Sequence, residues 1–239
     1  GLDRPLYVQY LDYVWHALRG DLGVSLFNKQ PVTQQILDAL PHTMELALAS
    51  LVISTTLGIV LGVVSALKHN TWIDSLSMGM ALIGVSMPVF WLGLLFIFFF
   101  SVKLQWFPPM GQGEASRLVL PAFALGLLSS ATLARLVRSS MLEVMNEDYV
   151  RTARAYGFPE RTVVWKYAMR NSLIAIVTLL GGLLPALIGG SIIIESIFSI
   201  PGMGRLAFEA VLSRDYPLIM GEVAIASLLT LAGLLLSDL

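Results

Sequence analysis

Five stretches of this chain are apolar for long enough to cross a lipid bilayer: 43–67, 76–101, 118–134, 172–194 and 218–237. A hydrocarbon core about 30 Å thick needs about 20 apolar residues in helix. These runs carry almost no charge and do not alternate with period two. They therefore predict helices rather than barrel strands. Between the third and fourth runs the pattern changes, and residues 140–171 (SMLEVMNEDYVRTARAYGFPERTVVWKYAMRN) are charged and amphipathic. Spans that only had to cross could be joined by a few residues, so a loop of this size offers something for a soluble partner to hold.

Within that loop the residue order predicts a short helix. Asn146 is placed to cap it, and Glu147 and Asp148 occupy a first turn where the helix dipole favours acids. Glu147 and Arg151 stand four apart, in the favourable orientation for an ion pair. Gly157 is a natural stop, and Pro159 prevents the helix from resuming. Thr152, Ala153 and Ala155 give a smooth face; Tyr149 and Tyr156 add anchoring bulk. A second amphipathic piece, 160–171, leads into the next run. Two readings follow from the residues alone: a rod that a partner moves, or an interfacial helix among lipid headgroups.

Composition agrees with a membrane protein. The chain is 56% hydrophobic and 13% charged, with mean hydropathy +0.77, against about 25% charged in ordinary soluble domains. A net charge of −1 gives no reason to expect a nucleic-acid partner. The absence of cysteine excludes disulfides, thiolate metal sites and a cysteine nucleophile. His16, His42 and His69 are scattered and form no metal-binding motif, and no phosphate-cradling glycine loop is present. No metal ligand, cofactor or catalytic residue is therefore assigned to the chain. Residues 68–75 and 135–171 hold 8 basic residues in 45, whereas 1–42, 102–117 and 195–217 hold 7 in 81. The denser side faces the cytoplasm. The chain reads as one membrane domain, most of a longer protein, with one further span expected before Gly1.

Small residues recur four apart at Ser54, Gly58, Gly62 and Ala66, and again at Gly182, Ala186 and Gly190. Such rows let helix backbones approach, either inside the bundle or against a second membrane subunit. Pro88 and Pro185 predict kinks. Glu195 and Glu222 lie in or beside apolar runs, where carboxylates are costly, and so are candidates for a solute pathway. Ser86 and Pro88 join that set, as do Pro201, Gly202, Gly204, Arg205 and Asp215 of the outer loop 195–217. The competing reading of this loop is a structural re-entrant turn. Glu45, near a span end, is explained by snorkelling.

The charged loop resembles the coupling segment of ABC importer permeases, whose pattern is Glu-Ala-Ala-x3-Gly-x9-Ile-x-Leu-Pro. Aligned on Gly157, Arg151-Thr152-Ala153 take the first three places, Tyr167 takes the Ile place, and Met169-Arg170 replace Leu-Pro. DYVRTARAYG, GLDRPLYVQY, RGDLGVSL, GVSMPVFWLG, RLVRSSMLEV, IFSIPGMGRL and RDYP are similar to blocks of the dipeptide/oligopeptide/nickel branch, first-permease type. The resemblance implies an all-α polytopic helix bundle, five spans of six being visible. It implies a heteromeric importer with a second permease, two cytosolic ATPases that bind ATP and Mg, and an extracytoplasmic substrate-binding protein. The residues expected to couple to the ATPases are Asn146, Glu147, Asp148, Tyr149, Arg151, Thr152, Ala153, Arg154, Ala155 and Gly157. The solute class it suggests first is short peptides, with nickel or glutathione as alternatives; the compact loop 106–117 is similar to the latter two. The rival from another class is an ion-driven carrier, and a scaffold that moves no solute comes third.

Overall fold

The computed structural model describes residues 5–109 and 115–238; side chains 84, 85, 115, 174, 184, 190 and 236–238 are not described. The first four residues of GLDRPLYVQY and the centre of the loop 106–117 lie outside that range. Ten helices follow in order: α1 (Leu6–Leu18), α2 (Val32–Leu67), α3 (Trp72–Ser86), α4 (Val89–Phe96), α5 (Ala115–Met145), α6 (Asp148–Ala155), α7 (Glu160–Thr162), α8 (Met169–Phe198), α9 (Met203–Ser213) and α10 (Tyr216–Asp238). α4 runs on as a π-helical stretch to Lys103, and a second one, Val163–Ala168, joins α7 to α8. The only strand-like pairing among the described residues is an isolated bridge, Val24 with Pro31.

α2 is the spine. Its 36 residues extend about 54 Å at 1.5 Å per residue, well beyond the hydrocarbon core, and three buried clusters succeed one another along it. At its start, Val32, Ile36 and Ala39 pack with Leu22, Met203, Ala210 and Leu218. In the middle, Leu46 and Ala47 meet Leu125, Leu187, Ile194 and Phe198. At its end, Val63 and Ala66 meet Leu133, Val137, Met141 and Ile176. Only an element longer than the bilayer can link both ends of the bundle in this way.

The first small-residue row explains how α2 and α5 lie so close. A Cβ on Gly58 would stand 2.8 Å from Leu133, and one on Gly62 would stand 2.6 Å from Val137 and 2.7 Å from the Ala134 carbonyl. Gly126 of α5 returns the fit: a Cβ there would meet the Ser50 carbonyl at 2.8 Å. In lipid this van der Waals contact is a main source of helix association. The second row behaves differently, because Gly182 has nothing within 4 Å and Ala186 is exposed. Internal packing among the described residues therefore accounts for the first row and not for the second.

The expected span 76–101 is not one helix. Met87 and Pro88 are extended, with ψ of 132° and 136°, because a residue before proline is pushed out of the helical region. Two shorter apolar helices result, Trp72–Ile83 and Val89–Lys103. Among the described residues three helices are long and apolar enough to cross a membrane by themselves: Val32–Leu67, Ser116–Met145 and Tyr216–Leu235. Pro185 lies within α8 and is buried; its ring stands 2.5 Å from where a Cβ on Gly233 of α10 would be. Pro41 and Pro121 also sit inside continuous helices.

Candidate functional site: the two ends of the bundle

α6 crosses one end. Its Val150 and Ala153 are buried against Val163, with Val144 and Tyr167 packed around them. Asn171, at the root of α8, donates from Nδ2 to the Tyr149 hydroxyl at 2.6 Å. Arg154 Nη2 bonds Glu160 Oε1 at 2.8 Å, tying α6 to the turn that follows. The helix ends on Gly157 at φ +78°, where its N–H donates to the Arg154 carbonyl at 2.9 Å. Glycine takes this left-handed conformation at no steric cost, as the sequence pattern predicts. Phe158 then folds back, its ring 5.8 Å from that of Tyr167.

Three expectations at this end need correction. Asn146 does not cap α6: its Nδ2 donates to the Leu142 carbonyl at 2.9 Å, which finishes α5. Glu147 is the N-cap residue and makes no side-chain capping bond. Arg151 pairs with Asp148 at 3.7 Å, three residues away, instead of Glu147. Ala153 belongs to the inner face and is 4% exposed, so it holds α6 in place and is not available to a partner. The outward face consists of Asp148, Arg151, Thr152, Arg154, Ala155 and Tyr156, all exposed.

Beside this end is a polar cluster that the linear sequence conceals. Asp74, in the first turn of α3, is buried and accepts from Arg138 Nε at 2.9 Å and Nη2 at 2.8 Å, from the Asn70 N–H at 3.1 Å, and from the Ser65 hydroxyl. Hydrogen bonds from Arg138 and Ser65 hold its carboxyl well below the usual carboxylate range, outweighing burial. The bidentate geometry is the strong form of this pair. It joins the end of α2, the start of α3 and the last third of α5. In the sequence Arg138 is one of the basic residues of 135–171; its place just past an apolar run is the signal that points to it.

At the opposite end α8 and α9 meet in a sharp corner, the segments Ser191–Phe198 and Met203–Ser213 being bent by 86°. Glu195 fills the corner, fully buried. It accepts from Thr43 Oγ1 at 2.8 Å, Ser191 Oγ at 2.7 Å and the Arg205 N–H at 2.9 Å. Thr43 Oγ1 in turn accepts from the Met203 N–H at 2.8 Å. The first N–H groups of α9, which no helix can satisfy internally, thus receive a carboxylate and a hydroxyl. Gly202 and Gly204 are required by close approach. A Cβ on Gly202 would stand 2.5 Å from both Glu195 and Thr43, and one on Gly204 would stand 2.6 Å from the Ile192 backbone.

Glu195 is therefore a brace, and its burial removes it from any open route in this conformation. Asp215, at the far end of α9, has a similar part. It is buried and accepts from the Ser25 hydroxyl and from the Leu26 N–H at 3.1 Å. Burial pushes its pKa up, but hydrogen bonds from Ser25 and the Leu26, Phe27 and Leu218 N–H groups bring it below the ordinary value. Pro201, Gly202 and Arg205 line a cleft of about 430 Å³ with Asp38, His42 and Glu209. A neighbouring cleft of about 480 Å³ runs past Leu206 and Glu209 to Phe27, Asn28 and Asp215. Glu222 is 5% exposed and its Oε1 has no partner. It faces a smaller cavity of about 170 Å³ beside Ile188, Ile192 and Gly204. Ser86 and Pro88, both exposed at the α3–α4 break, line none of these three spaces. Among the described residues no group of three or more His, Cys, Asp or Glu is placed to hold a metal ion.

A bundle of apolar helices with a small polar helix across one end and a braced corner at the other defines a polytopic membrane subunit. The model of the family described as binding-protein-dependent transport system inner membrane component matches residues 58–239, and the chain belongs to this family. A Brucella abortus protein provisionally named as a peptide transport system permease is 43% identical, covering 100% of this chain and 79% of that one. The glutathione transport system permease protein GsiC of Escherichia coli is 42% identical over 95% of this chain and 74% of its own length. Solved structures share the fold at low identity. The inward-facing MetNI methionine ABC transporter gives a TM-score of 0.73 at 17% identity, covering 86% of this chain and 94% of that one. An amino acid ABC transporter crystallised with histidines gives 0.66 at 18%, covering 86% and 92%. The chain is thus an ABC importer permease, a transport subunit of the inner membrane rather than an enzyme.

Proposed function

We propose that this permease carries short peptides into the cytoplasm, driven by ATP that two separate cytosolic ATPase subunits bind with Mg and hydrolyse. In this reading the five expected spans cross with residues 140–171 inside and residues 1–42 and 195–217 outside. α6 is the element that an ATPase grips. The observation that carries it is the division of α6 into two faces. Val150, Ala153 and the Tyr149–Asn171 bond lock one face to the ends of α5 and α8, while Asp148, Arg151, Thr152, Ala155 and Tyr156 are bare. A push on the bare face moves two long helices as a rigid body.

At the other end the two clefts along α9 offer a polar surface of Asp38, His42, Arg205 and Glu209 to an external substrate-binding protein. The open Gly182 and exposed Ala186 support a close contact with a second permease subunit. Peptide is favoured as solute by the names of the two relatives, glutathione being itself a tripeptide; it is the second reading, supported by 42% identity to GsiC. The test is reconstitution with the partner ATPases and binding protein in proteoliposomes. Uptake of labelled di- and tripeptides should require ATP inside and binding protein outside. Crosslinks from a cysteine at Tyr156 should reach the ATPase. Glutathione uptake without peptide uptake would select the second reading, and uptake without any ATPase would overturn both.

A further inference from the structure

Among the described residues α1 is the one helix longer than a single turn in which no residue is buried; the three-residue α7 shares that property. At 100° per residue Leu6, Tyr7, Tyr10, Leu11, Trp15 and Leu18 fall within one half of its circumference, opposite Gln9, Asp12 and His16. All six are more than half exposed. Neither the ATPase-coupling end nor the α9 corner uses them.

Their depth can be read from the packing that follows. Ala17 touches the buried cluster of Leu22, Val32, Ile36 and Leu218. Leu22 Cδ1 lies 3.4 Å from where a Cβ on Gly221 would be, which puts Leu22 level with the second turn of α10. Gly221 is five residues past Tyr216, so this level is about 7 Å inside the start of a crossing helix. Tyr216 itself is exposed, an aromatic at the point where α10 enters the bilayer. A helix tethered at that level has its apolar half within reach of the boundary between headgroups and acyl chains. The composition suits that place, since tyrosine and tryptophan concentrate at membrane–water interfaces. Arg19 stacks over Trp15 at 4.4 Å, putting a cation beside the ring.

We propose that α1 is an interfacial anchor: it lies in the plane of the membrane surface at the α9 end, with its Leu6–Leu18 apolar face sunk among lipids. Through Ala17 and Leu22 it would hold the segment 20–31, and with it the Ser25–Asp215 bond, at a constant height above the bilayer.

The chain has no cysteine, so single-cysteine variants are clean reporters. Nitroxide labels at Tyr7→Cys, Leu11→Cys and Leu18→Cys should be compared with Gln9→Cys and His16→Cys. The chain would be assembled with its partner subunits in phosphatidylethanolamine/phosphatidylglycerol nanodiscs. The ratio of oxygen to nickel-chelate collisions should be several-fold higher at the first three positions. Equal ratios on both faces would mean a helix in water and would overturn the proposal. Exclusion of both reagents from the apolar face would mean a protein cover, from another subunit or another segment, and would overturn it equally. A label can perturb its own site, so brominated acyl chains provide a second readout. They should quench emission of the unmodified protein more than that of Trp15→Phe.

Discussion

The α6 helix and the α8–α9 corner handle their carboxylates in opposite ways. At the α6 end charged side chains face outward and their pairs are exposed: Arg151 and Asp148 are 67% and 99% accessible. At the α9 end the carboxylates of Glu195 and Asp215 are buried and fully engaged. A surface offered to a partner must keep its groups free, whereas a corner that keeps its shape must satisfy them internally. Exposed pairs contribute little to stability, and a buried donor left without an acceptor costs much more. The difference suits the proposed division of labour, in which α6 receives force and the α8–α9 corner resists it.

The largest effect expected is at Glu195. Glu195→Ala strands the Thr43 hydroxyl and the Arg205 N–H, at about 1–3 kcal/mol for each unsatisfied group, whereas the Ser191 hydroxyl keeps the Ile188 carbonyl at 2.8 Å as acceptor. Thermal melting of the detergent-solubilised protein should show a large loss, and Glu195→Gln should recover part of it. A melting point unchanged in Glu195→Ala would break the contrast between the ends.

Asp74 comes next. It lies near the α6 end yet behaves like the buried carboxylates, so it sharpens where the boundary falls. Removing one partner of a buried pair costs about 3–5 kcal/mol, the lower figure being apt because Arg138 is 26% accessible. Asp74→Asn should also flatten the acid limb of stability. Its folded pKa and that of Asp215 are lowered, so their contribution is complete above the unfolded value of about 4 and is lost as pH falls through the folded values. Melting curves between neutral and strongly acid pH measure this; stability that rose on acidification would reverse the sign.

Gly157→Val should cost only about 1–2 kcal/mol, the strain of a left-handed β-branched residue, since nothing lies within 4 Å of a Cβ there. Its functional effect should be larger than its effect on stability, with ATP hydrolysis continuing while uptake falls. Full solute-stimulated transport in that variant would remove α6 from the mechanism. The smallest effect belongs to Arg151→Glu, within about 1 kcal/mol for stability, with ATPase docking weakened more at low salt than at high salt. Salt-independent weakening would point to a packing role instead.

The segment around α6 was legible where local rules suffice. Gly157 stops a helix because a chain reversal before Pro159 needs a left-handed residue, and Asp148, Arg151 and Tyr156 lie outward as their polarity suggests. Ala153 and Asn146 were misplaced because an alanine fits either face of a small helix and an asparagine can finish one helix as readily as begin the next. Glu195 was conspicuous as a carboxylate beside an apolar run, but its role depends on Thr43, 152 positions away in sequence. Asp74 and Arg138, 64 apart, gave no sign of one another. The break at Met87-Pro88 was readable as a kink and proved to be a full interruption.

By itself the sequence determined the membrane class, the apolar helical runs apart from the break at Met87-Pro88, and the polar loop between the third and fourth of them. Hydropathy, proline and glycine act through the nearest few residues and the surrounding solvent. Which small-residue row is consumed inside the bundle, which carboxylate braces α9, and which face of α6 is free were decided only by tertiary structure. Each depends on what a helix from a distant part of the chain places within 3–4 Å, and linear spacing carries no record of that.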